Sequence, residues 1–137
     1  MTATSIQTAF PSEIAYGQIK DTSVVETGVD SSILDTELIV RSYFRDTPIM
    51  IQIARCESTF RHTLADGSVL QGYVDPDDTG VMQINKRYHE KSAIAMNLDL
   101  EDINDNMAYA MHLYEKQGTQ PWSASAPCWN RSIAMNR

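Results

Sequence analysis

Apolar residues recur at helical spacing in four stretches of the chain. In the first, Ile33, Val40 and Phe44 share one stripe, with Ile39 and Tyr43 on an adjacent one. Ser32-Ile-Leu-Asp35 has the form of a capping box and predicts the start of that helix. Arg45-Asp-Thr-Pro48 predicts its end, because the residue before a proline is pushed out of helical geometry. A second, short helix is predicted from Thr47 to Cys56. Thr47 would cap it, Pro48 suits its first position, and Ile49, Ile53 and Cys56 would face the core. A third is predicted from Lys86 to about Met96, with Tyr88, Ile94 and Ala95 available for packing. The fourth has the cleanest pattern: Asp99-Leu-Glu-Asp102 caps it and Gly118 ends it. Ile103, Met107, Ala110, Met111 and Tyr114 form its stripe.

The pattern changes between residues 61 and 76. Asp66-Gly67 is a turn signal, and Ser68-Val-Leu-Gln-Gly-Tyr-Val74 alternates as a strand does, so a β-hairpin is expected here. Residues 1–30 hold Ile6, Phe10, Ile14, Tyr16 and Ile19 at no regular period, among Thr, Ser, Gln and Gly. They read as a flexible N-terminal arm, followed by a single domain over residues 31–137. The expected class is mainly helical α+β.

Composition narrows the partners. At 137 residues the chain can build one core but not two. A net charge of −7 argues against nucleic acid or an acidic membrane, both of which call for a basic face. No apolar run approaches the ~20 residues that span a bilayer. The N-terminus lacks the basic-then-apolar order of a leader, so the chain reads as a mature form or one delivered by another route. His62, His89 and His112 lack paired metal spacing. Asp75-Pro-Asp-Asp-Thr-Gly80 departs from a calcium loop at its fifth position, and Lys86 stands where the closing Glu belongs. No metal or cofactor is expected. The seven methionines read as core filler.

One residue stands out chemically. Glu57 falls at the end of the second predicted helix, where the macrodipole is negative, and apolar Phe60 follows. Both effects favour the protonated acid, which a general acid working near neutral pH requires. Arg55 and Arg61 would oppose them if they reached the carboxylate. On these grounds alone a solvated residue at a helix end is the better reading of Glu57.

Two downstream stretches add to it. Glu57-Ser58, then Gly80-Val81-Met82-Gln83, then Asn106-Met107 occur in the order found in the lysozyme-like superfamily. Over roughly residues 34–130 the chain most resembles the soluble lytic transglycosylase domain, with Leu113-Tyr114 in place of that family's Tyr-Leu. The family's Ala-Tyr-Asn-Ala-Gly motif is replaced by Pro121-Trp-Ser-Ala-Ser-Ala-Pro-Cys-Trp129, leaving the tyrosine that helps hold the catalytic Glu without a counterpart.

The resemblance implies a lysozyme-like fold, with a small hairpin sheet as one wall of a cleft, and a monomer that cleaves peptidoglycan strands outside the cytoplasm. It implies that Glu57 protonates the β-1,4 bond and then takes the proton of the muramyl 6-hydroxyl, leaving a 1,6-anhydro end. Ser58, Gln83 and Asn85 would supply hydrogen bonds in the cleft and Met82 its floor, with Tyr88 and Tyr109 either further substrate contacts or ordinary core and surface tyrosines. Asp78-Thr-Gly-Val-Met-Gln-Ile-Asn-Lys-Arg-Tyr88 is also similar to the animal lysozyme segment Asp-Tyr-Gly-Ile-Phe-Gln-Ile-Asn-Ser-Arg-Tyr. That alignment makes Asp78 a second catalytic carboxylate of a hydrolysing muramidase, lysozyme being the standard case of two carboxylates with separated roles; the alternative, which the residues themselves favour, is that Asp75, Asp77 and Asp78 form a plain acidic turn. A non-catalytic glycan-binding or assembly protein on the same fold is the third reading. For an enzyme acting on the wall, Cys56 and Cys128 would form a disulfide tying the C-terminal segment to the Glu57 helix; two free buried thiols are the alternative.

Overall fold

The computed structural model describes residues 30–135. Their elements, in order, are α1 (Ser31–Tyr43), α2 (Pro48–Ser58), β1 (Asp78–Thr79), β2 (Ile84–Asn85), α3 (Lys86–Ala95) and α4 (Ile103–Gln117). A 3-10 segment (Gln120–Ser125) then leads directly into α5 (Ala126–Met135). β1 and β2 pair antiparallel, Asp78 opposite Asn85 and Thr79 opposite Ile84. The domain is therefore mainly helical with one small antiparallel sheet, as its patterning predicts. The expected N-terminal arm lies outside the described residues. Among those described, no helix is long and apolar enough to cross a membrane.

α2 is the hub, with α1, α5 and the 3-10 segment packed on it. It buries Met50, Ile51, Ile53 and Ala54 against Val40, Phe44, Met107, Leu113, Trp122 and Trp129. Each large side chain so buried stabilises the fold by roughly 1.5–3 kcal/mol. Pro48 opens α2 as expected, although the Thr47 side chain makes no cap bond. The expected disulfide is present: Cys56 is joined to Cys128, with their Cα atoms 6.0 Å apart, and fastens α5 to the end of α2. α4 begins at Asp102, whose side chain accepts from the Asn104 and Asp105 amides, and ends at Gly118.

Three further expectations need correction. α1 is capped by Asp30, not Ser32: the Asp30 carboxylate accepts the Ser32 amide and places Ser32 inside the first turn. The sheet is not built from Ser68–Val74. Asp66 bonds the Ser68 amide and hydroxyl instead, closing a local turn, and only isolated bridges remain, Thr63 with Val69 and Gln71 with Thr79. Tyr73 and Val74 are wholly exposed. On α3, Tyr88, Ile94 and Ala95 face solvent and Ala93 alone is buried, because the helix lies on the domain by one narrow edge.

Candidate functional site

Glu57 is the last residue but one of α2, and the chain reverses sharply behind it. Thr59 and Phe60 both take left-handed backbone, φ 55° and 58°. That conformation costs a residue with a Cβ roughly 1–2 kcal/mol. Two contacts offset it: the Thr59 amide caps Arg55 O at 3.0 Å, and the Phe60 ring is buried beneath the Arg41 guanidinium, 5.6 Å from its centroid. Stopping the helix there leaves the Glu57 carboxyl half-buried. Burial pushes its pKa up, a hydrogen bond from Ser125 pulls it down, and the negative charge of Asp78 pushes it up again. The net shift is upward, toward an acid that keeps its proton longer than an ordinary glutamic acid. Arg55 does not oppose it, since its guanidinium turns to the Ser132 hydroxyl on α5.

Ser125 Oγ lies 2.5 Å from Glu57 Oε1 and 3.1 Å from Trp122 O. Its segment is fixed from several sides. Trp122 is buried and donates its ring N–H to Met82 O at 3.0 Å, while the Trp129 ring N–H donates to Trp122 O at 3.1 Å. The disulfide holds the residue before Glu57 to a residue one turn beyond Ser125.

The segment from Asp78 to Asn85 is held by buried polar groups. Gly80, at φ 74°, has no room for a side chain: a Cβ would sit 2.6 Å from Asn106 Nδ2 and 2.7 Å from His62 Cε1. Asn106 is fully buried. Its Oδ1 accepts the Met82 amide at 3.0 Å, and its Nδ2 donates to Thr79 O at 3.0 Å and Leu100 O at 2.8 Å. His62 Nδ1 accepts the Val81 amide at 3.0 Å, which fixes the tautomer, so Nε2–H donates to Glu101 O at 2.7 Å. Burial holds the His62 pKa below its usual 6.5.

The residues expected in the site divide into two groups. Glu57, Asp78, Gln83 and Asn85 are partly accessible. Asn85 Nδ2 donates to Asp78 Oδ1 at 2.9 Å and Asp75 Oδ2 at 3.0 Å, and Gln83, at φ 48°, donates to Gly80 O at 2.9 Å. Tyr88 is exposed and lines a groove of about 570 Å³ with Gln71, Asp77, Arg87 and Lys91. The other three are placed differently. Ser58 is buried and its hydroxyl donates to Ala54 O at 3.0 Å, which serves the end of α2. The Met82 side chain is wholly in the core, and Tyr109 is buried with its hydroxyl 3.0 Å from His89 Nδ1. The sequence reading missed Ser125 and His62. No local period marks either one; the only hint for Ser125 is its place in the segment that replaces the tyrosine motif.

Among the described residues no group of three His, Cys, Asp or Glu side chains is placed to hold a metal ion. No family model, curated protein or solved structure matches the chain.

Proposed function

We propose that the domain is a peptidoglycan lytic transglycosylase of lysozyme-like fold, acting outside the cytoplasm with Glu57 as its one acid and base. The observation that carries this reading is the setting of Glu57: a half-buried carboxyl at a helix end, its pKa raised by burial and by the charge of Asp78. Glu57 protonates the glycosidic oxygen as the C1–O bond breaks. The resulting carboxylate then removes the proton from the muramyl 6-hydroxyl, whose oxygen bonds to C1 and closes the 1,6-anhydro ring. The nucleophile is tethered to the reacting sugar, so no water need be positioned, and such tethering lowers a barrier by on the order of 7 kcal/mol or more in the best-aligned cases.

Hydrolysis by a muramidase is the second reading, favoured by one observation: the Asp78 charge reaches Glu57. Insoluble wall turnover by Glu57→Gln and Asp78→Asn separates the two. The transglycosylase reading expects no turnover in the first and a modest loss in the second. Equal loss in both would make Asp78 a catalytic group. Unchanged turnover in Glu57→Gln would overturn both, and wall binding without release by the native protein would leave the glycan-binding reading.

A further inference from the structure

We propose that Ser125 is a positioning residue that divides the work of the Glu57 carboxyl, anchoring Oε1 and leaving Oε2 as the oxygen that gives and takes the proton. The inference rests on the reading of Glu57 as the acid. A serine hydroxyl has a single hydrogen. Two acceptors lie within its reach, Glu57 Oε1 at 2.5 Å and Trp122 O at 3.1 Å. When Glu57 is ionised the shorter contact takes it, since hydrogen bonds to carboxylates are about twice as strong as neutral ones. Trp122 O loses nothing, because the Trp129 ring N–H already serves it.

The other oxygen is in a different position. Among the described residues Oε2 accepts no hydrogen bond, and Glu57 keeps part of its surface accessible. With Oε1 occupied by a donor, a proton on Glu57 belongs on Oε2. After transfer, the lone pair that accepts the 6-hydroxyl proton is on the same atom. Both steps then run through one oxygen without rotation of the carboxyl. The disulfide beside Glu57 and one turn beyond Ser125 holds the pair in register. Among the described residues, Asp78 on β1 is the charged group that acts on Glu57. The 3-10 segment carries no ionisable side chain, Arg131 on α5 is exposed, and Arg55 is engaged by Ser132.

The test is a carbon-13 NMR titration of the Glu57 carboxyl in the native protein, Ser125→Ala and Ser125→Thr, read beside the pH profile of wall turnover. Ser125→Ala should raise the Glu57 pKa, move the alkaline limb of the profile to higher pH, and lower kcat about tenfold with KM unchanged. Ser125→Thr, which keeps the hydroxyl, should restore all three. A Glu57 pKa and alkaline limb unmoved in Ser125→Ala, with the disulfide intact, would overturn the proposal. The titration needs no turnover, so it still reads this contact if Glu57→Gln shows that the domain is not an enzyme.

Discussion

The two sides of the site are held by different physics. On the Glu57 side, α2, the 3-10 segment and α5 are joined by apolar packing and one covalent bond, around Met50, Ile53, Trp122, Trp129 and the Cys56–Cys128 disulfide. On the Gly80 side there is little regular structure, and the backbone is held by two buried polar side chains, His62 and Asn106. Apolar packing accepts volume-conserving swaps at a cost of less than about 1.5 kcal/mol, whereas losing one partner of a polar bracket leaves a buried group unsatisfied. The ionisable acid stands on the forgiving side, and the Gly80 backbone stands on the exacting one.

The sharpest way to break that contrast is Asn106→Ala. It orphans the Met82 amide and the Thr79 and Leu100 carbonyls in the core, and at about 1–3 kcal/mol each the loss should be about 5 kcal/mol. A urea unfolding curve shifted by less than a third of that would mean that water replaces the bracket. Replacing both cysteines by alanine should cost about 4 kcal/mol on the chain-entropy model, with 72 residues separating the pair. Secondary structure should survive in that variant, since the apolar packing remains.

These two variants also separate what was legible in the sequence from what was not. The order α2, Glu57, Gly80 and α4 was readable because apolar periods, Pro48, the Asp102 cap and Gly118 act locally. The short sheet was misplaced because Asp66 has a local alternative, closing its own turn on Ser68, and the two-residue strands are too short to show a period. Ser125 was invisible because its role depends on α5 folding back over α2 across 68 residues of chain.

A smaller effect comes from pH. In the folded protein both His62 nitrogens are engaged in the neutral form, and burial lowers its pKa below 6.5. The unfolded chain takes up a proton as pH falls through 6.5, while the folded chain resists it. This contribution is therefore complete above about pH 6.5 and is lost below it. His89, also lowered by burial, has the same sign, so His62→Gln should flatten only part of the slope of unfolding free energy against pH. Glu57 acts in the opposite sense: with its folded pKa raised, it withdraws stability as pH rises through that value. Glu57→Gln should melt at a higher temperature than the native protein at neutral pH. The smallest change expected is Lys86→Ala. It removes the exposed ion pairs to Glu101 and Glu90 and should alter stability by less than about 1 kcal/mol.

The central claim, that one carboxyl performs both proton transfers, is tested most directly by the chemical ends that the native domain releases from purified wall. Mass spectrometry of the muropeptides should find 1,6-anhydromuramyl ends, lighter by one water than reducing ends. Reducing muramic acid ends would contradict the account, because they require water as the acceptor and a site built to position it.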